Sequence, residues 1–169
     1  DSLKSTDWLG HYPTTQGRTK LMRLYALLNT HAAHEFPHWI GEKESRRFLA
    51  ILEDMPAWWP KMECMPKTLI HNDFNPRNMA FRKTPEGPRL CVYDWELATL
   101  HLPQVDVVEL LAYTLVDGIT KERVTDFVDF HRVQLERQIG RKLDATLWWE
   151  GFRYAAWEFF ISRMSLYLM

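Results

Sequence analysis

The sequence predicts a mainly α-helical chain with one small β-hairpin, an α+β class, and three observations predict it. Apolar residues recur at three- and four-residue steps through most of the length, the period of amphipathic helices. Two short extended runs are joined by KTPEGP, a segment with strong turn chemistry. The 169 residues are 46% hydrophobic and 25% charged, the makeup of a globular domain able to bury one core, so a single domain spanning residues 1–169 is expected.

The opening DSLKSTDWLGHYPTTQG is rich in Ser, Thr, Gly and Pro and reads as an irregular entry segment. A helix is expected from Arg18 to about Ala33 on the stripe Leu21, Leu24, Tyr25 and Leu28. A second is expected from about Lys43 to Met55 on Phe48, Leu49, Ile51, Leu52 and Met55. His31, His34 and His38 lie between these stripes without an ordered acidic or thiol partner, so they read as exposed histidines rather than as metal ligands. Pro56, Pro60 and Pro66 punctuate the next stretch, and the Trp58–Trp59 pair is expected to pack where the chain leaves a helix for an extended run.

Thr68–Ile70, Met79–Arg82 and Arg89–Tyr93 read as extended, the last two forming the hairpin. Val105, Val108, Leu111, Ala112 and Leu115 define the next helix. Val124, Phe127, Val128, His131, Leu135 and Ile139 define another that stops near Gly140. A last helix, from about Ala145 to Leu168, is crowded with tryptophan and phenylalanine but interrupted by Glu150, Arg153, Glu158 and Arg163. It therefore reads as a packing helix and not as a membrane contact.

A formal net charge of -1 gives no electrostatic case for nucleic acid or an anionic membrane as partner. No run of 18 apolar residues spans a bilayer, which makes a cytoplasmic location the expectation. Cys64 and Cys91 are the two cysteines; no disulfide framework is expected, and Cys91, inside LCVY, should pack as a small hydrophobe. The chain begins at Asp1, and its last residues, ISRMSLYLM, still read as helix, so both ends look cut.

The chemistry is concentrated in TLIHNDFNPRNMAF, where His71, Asn72, Asp73, Asn75, Arg77 and Asn78 crowd one loop between extended runs. That is more side-chain functionality than a turn requires for its own geometry. VYDWELA then places Asp94 and Glu96 at the end of an apolar strand, which hairpin pairing returns toward Asn78. Asn78 and Asp94 together offer the oxygens that suit Mg²⁺, a hard cation that takes one or two protein ligands beside waters and phosphate oxygens. Phosphoryl transfer needs this combination of a hydroxyl-orienting carboxylate and a charge-neutralising metal. Asp106, just ahead of VVELLA, is expected to cap the first turn of its helix rather than to act in catalysis. A phosphoesterase built on His71, Asp73 and Asp94 is the weaker reading, because two-metal sites need more ligands.

H-x-D-x-x-x-x-N followed by D-x-E resembles the catalytic and metal motifs of the aminoglycoside phosphotransferase and choline kinase superfamily, which shares the protein-kinase-like fold. Compared with protein kinases, Asn72 stands where an arginine reads an activation-loop phosphate, Asn75 replaces the loop lysine, and DWE replaces DFG. The HND triplet is similar to the choline kinase branch and D-x-E to the methylthioribose kinase branch. The resemblance implies that Asp73 is the catalytic base, that Asn78 and Asp94 are ligands of Mg²⁺ and thereby of ATP, and that His71 buttresses the loop. It implies for Glu96 a second-metal or substrate contact.

The family's glycine-rich loop and strand lysine are not found. The seven glycines never form G-x-G, and helices fill the segment before His71. By this resemblance the chain is the C-terminal lobe only, inactive without an N-terminal nucleotide-binding lobe of the same polypeptide. The partners expected are a nucleotide and a small molecule bearing a hydroxyl, the acceptor being read around His101–Gln104 and the last helix. The alternative is a non-catalytic binding or regulatory module of the same fold, appended to a larger multidomain protein.

Overall fold

A computed structural model describes residues 14–115 and 119–164; the entry segment before Thr14 and the helical end expected through Leu168 lie wholly or partly outside these. Backbone contacts divide the chain into two compact units, one built on Pro66–Phe152 and the other on the described residues of Pro13–Met65 and Arg153–Met169. The described residues are mainly helical with two small antiparallel sheets, the α+β class expected.

In the second unit, the single expected helix over Arg18–Ala33 is two helices, α1 (Thr15–Thr19) and α2 (Met22–Glu35), separated by a turn at Lys20–Leu21. The turn resets the helical phase. Tyr25, Asn29 and Ala32 face inward, whereas Leu21 and Leu24 of the expected stripe are exposed. Asn29 donates from its amide to the Ser45 hydroxyl at 2.7 Å and ties α2 to α3 (Glu42–Glu53), which buries Phe48 and Leu52.

A fourth helix, α4 (Met55–Glu63), runs through the segment expected to leave helical structure. Pro56 lies in its first turn, where a missing N–H sacrifices no intrahelical bond, and Pro60 forgoes one bond in a helix held chiefly by packing. Met55, Trp58, Trp59 and Met62 are buried on it. Trp58 stacks on Tyr154 at 5.9 Å and donates from Nε1 to the Ile51 carbonyl at 3.1 Å, the polar handle a buried indole requires.

The first unit begins with β1 (Thr68–Ile70) and the loop that follows it. The hairpin comes next, β2 (Met79–Thr84) against β3 (Gly87–Val92), with Met79 opposite Val92 and Thr84 opposite Gly87. The two turn residues are Pro85 and Glu86, and Gly87, which follows them at the start of β3, takes a φ of 113° that favours glycine. Residues of both parities along the hairpin are exposed, so Cys91 does not pack as expected; it is exposed like Phe81 and Leu90. A short strand the periodicity did not reveal, β4 (Thr99–His101), pairs with β1 in the register Ile70 opposite Thr99.

Three helices complete the described chain: α5 (Gln104–Thr114), α6 (Lys121–Ile139) and α7 (Ala145–Phe159), the last continued by one π-helical turn, Phe160–Met164. Thr120 caps α6 and Gly140, at φ 69°, ends it in the left-handed cap expected there. Glu136 accepts from Arg132, Lys142 and the Leu143 N–H, which fixes the chain between α6 and α7. Trp148 is buried and donates to the Val128 carbonyl at 3.2 Å. Among the described residues no helix is long and apolar enough to cross a membrane.

Candidate active site

The loop between β1 and β2 contains almost no regular structure, so its backbone N–H groups need partners from elsewhere. Nearly all of them find one. Asp106 accepts from His71 N at 2.8 Å through Oδ2 and from Asn72 N at 2.9 Å through Oδ1. The N–H of Asp73 donates to His71 Nδ1 at 3.3 Å and that of Phe74 to Glu109 Oε2 at 2.8 Å. Asn75 N donates to the Asp73 carbonyl, Arg77 N to Asn75 Oδ1 and Asn78 N to the Asn75 carbonyl, at 3.0–3.1 Å. Pro76, which has no N–H, opens the 3-10 turn Pro76–Asn78.

Two asparagines of the loop converge on Asp73. Asn78 Nδ2 lies 2.7 Å from its Oδ2 and 2.9 Å from its carbonyl, while Asn75 Nδ2 reaches Oδ1 at 3.0 Å. Both carboxylate oxygens are thereby oriented by amides, and those amides are buried, Asn75 completely and Asn78 to 7% exposure. With Nδ2 of Asn78 committed to Asp73, the side-chain oxygen is the atom it has to offer a cation.

The second segment is brought in by the hairpin. Tyr93 N donates to the Asn78 carbonyl at 3.1 Å, continuing the ladder one step beyond Met79 and Val92, so the chain enters Asp94 directly beside Asn78. His71, buried to 1% exposure, makes the same connection from within: its Nε2 lies 2.8 Å from the Tyr93 carbonyl. With Nδ1 accepting from Asp73 N, Nε2 is the nitrogen that donates to the Tyr93 carbonyl. Trp95 covers that ring with centroids 4.7 Å apart.

Asn72 and Asp94 are the two non-glycine residues with positive φ among those described, at 62° and 65°. Asn and Asp adopt this conformation more readily than other side chains, and such strain concentrates at functional sites. Asp94 and Glu96 are exposed, Glu96 within the 3-10 turn Trp95–Leu97. Asn78 and Asp94 thus fit a hard cation by donor chemistry, one amide oxygen and one carboxylate. Among the described residues no group of three or more His, Cys, Asp or Glu could hold a metal ion.

Asp106 corrects the expectation of a helix cap. It lies in the first turn of α5, but its carboxylate is spent on the loop, and Pro103 occupies the cap position. Burial pushes its pKa above the ordinary carboxylate value, opposed by the His71 and Asn72 N–H groups. Sequence reasoning passed over Glu109, which is 1% exposed. The available signal was an acid inside the apolar run VVELLA, since a buried carboxylate requires a donor. His101, Leu102 and Gln104, in the stretch around which the acceptor was read, are buried. His101 Nδ1 takes the Leu102 N–H, and Gln104 donates to the Trp148 carbonyl.

A family model described as "Phosphotransferase enzyme family" matches residues 12–147. Neither the curated proteins nor the solved structures contain a match.

Proposed function

The chain belongs to the phosphotransferase enzyme family, and from that premise we propose that it is the C-terminal lobe of an ATP- and Mg²⁺-dependent kinase acting on a hydroxyl of a small molecule. The observation that carries this reading is the position of Asn78, whose amide holds Asp73 while its backbone carbonyl receives the N–H of the residue before Asp94. The hydroxyl-orienting group and the metal-binding group are thereby one rigid assembly. Asp73 orients the acceptor hydroxyl and takes its proton as the new P–O bond forms and the bond to the leaving diphosphate breaks. Asn78 and Asp94 hold the cation, with Glu96 as a further metal or substrate contact. When bound, Mg²⁺ neutralises charge on the phosphates. His71 bears no part in proton transfer, because both its nitrogens are spent on the backbone.

A small-molecule acceptor is supported by the use made of Asn72 and Asn75. Asn72 donates to the Leu97 carbonyl at 3.0 Å, and buried Asn75 is spent on the loop itself. Neither position presents the cation that would read a phosphopeptide or a peptide substrate. The described residues ahead of β1 are helical, which supports the proposal that nucleotide enclosure falls to a separate lobe.

Thermal unfolding with and without Mg²⁺-ATP tests the reading, with Asp94→Asn as control. A ligand at a hundredfold its Kd stabilises by about 2.7 kcal/mol, so a rise of several degrees is expected for the native sequence and none for the variant. No rise in either overturns the site. Transfer is read on a polypeptide that also carries the nucleotide-binding lobe, where binding without transfer to any hydroxyl compound favours the non-catalytic module.

A further inference from the structure

Glu109 stands one helical turn after Asp106 on α5, and both acids reach the same loop. Asp106 holds the entry to the loop; Glu109 holds the peptide that links Asp73 to Phe74. That peptide unit is pinned at both ends. Its carbonyl oxygen, on Asp73, receives Asn75 N at 3.1 Å, Asn75 Nδ2 at 3.1 Å and Asn78 Nδ2 at 2.9 Å. Its N–H, on Phe74, is taken by Glu109 Oε2 at 2.8 Å. A peptide is planar, so holding both polar ends fixes its orientation, and because the Asp73 N–H is also held by His71 Nδ1 the Asp73 side chain leaves the backbone in one direction. A neutral side chain of similar size would fill the same space, whereas a carboxylate at 1% exposure bears a desolvation cost that its hydrogen bonding must offset.

We propose that Glu109 is a positioning residue of the phosphotransfer site, setting the orientation of Asp73, and through it of Asn78, by holding the Phe74 amide. The inference rests on the proposed roles of Asp73 and Asn78. Its predicted consequence is that loosening the Phe74 amide weakens cation binding although Glu109 touches no cation.

The test uses the ¹⁵N-labelled chain with Glu109→Ala and Glu109→Gln, read by amide hydrogen exchange and by Mn²⁺ titration. In Glu109→Ala, exchange at Phe74 should accelerate by about tenfold or more relative to the core amide of Val128, a local opening rather than a global one. Mn²⁺ affinity should fall by about tenfold, the scale expected when a ligand loses its supporting partner. Glu109→Gln keeps an oxygen acceptor and should recover most of both. Unchanged relative exchange at Phe74, or a glutamine variant no better than alanine, overturns the proposal. If Glu109→Ala does not fold, Glu109→Gln decides alone: the Phe74 amide resonance must move as its acceptor changes from a carboxyl to an amide oxygen, and an unmoved resonance overturns the claim. If the native chain binds no Mn²⁺, the metal reading falls, while exchange at Phe74 still decides whether Glu109 positions the loop.

Discussion

His71 Nε2 lies 2.8 Å from the backbone carbonyl of Tyr93, a contact between the residue that opens the functional loop and the residue that precedes Asp94. With Nδ1 receiving the N–H of Asp73, one imidazole spans the two segments assigned to the proposed phosphotransfer site. The hairpin makes the same connection through Tyr93 N and the Asn78 carbonyl, and the Tyr93 hydroxyl adds a third by donating to the Arg77 carbonyl. Three hydrogen bonds therefore tie the loop to the residue before Asp94.

Replacement of His71 by alanine removes both bonds and leaves a buried N–H and carbonyl without their partner. Stability should fall by about 2 kcal/mol, within the usual cost of stranding buried polar groups, and urea unfolding would show it. Divalent-cation affinity should fall as well, because the Asp94 segment loses its tie to the loop. A variant of native stability would show that the imidazole is dispensable.

Asp94 can be tested without disturbing the fold. Its φ of 65° suits asparagine nearly as well as aspartate, so Asp94→Asn should unfold within about 0.5 kcal/mol of the native chain. Alanine is strained there and should cost roughly 1–2 kcal/mol. Both should lose Mg²⁺ binding by calorimetry. Retained affinity in the asparagine variant would remove Asp94 from the metal site.

How much of the fold and site was legible in the sequence depended on how local each feature is. The loop and the DWE segment could be read because His71, Asp73 and Asn78 lie within one turn of chain and the hairpin that returns Asp94 has its own turn signal. The grip of Asp106 and Glu109 on that loop could not, since each bond joins residues 34 or 35 apart and an acid in a helix does not announce which N–H it meets. β4, only Thr99–His101, is too short for an alternating pattern. α4 was hidden because prolines stop helices in general but are harmless in a first turn.

Gly140 separates backbone conformation from packing. It sits at φ 69° with no heavy atom within 4 Å of where a Cβ would lie, so substitution there costs conformation alone. Gly140→Ala should destabilise by roughly 1–2 kcal/mol, with Gly140→Asn intermediate, as left-handed propensity requires. Equal stability of the three chains in denaturant unfolding would contradict the observed end of α6.

Asp106 gives the pH dependence a sign. Burial is the largest influence on it and raises its pKa above the ordinary carboxylate value of about 3.9, despite the N–H groups of His71 and Asn72. The folded chain therefore holds this proton at pH values where the unfolded chain has released it. Its contribution to stability is fully present below the unfolded value and declines as pH rises through the raised one. Asp106→Asn does not titrate, and near neutrality it sets an amide donor against one of the two loop N–H groups, so it should be less stable by about 1–3 kcal/mol. The gap between the native chain and this variant should widen as pH falls from neutrality toward 4 and then level off. Unfolding curves for the pair across that range read the sign directly, and a gap that narrows on acidification would mean that the loop N–H groups, rather than burial, dominate the Asp106 carboxylate.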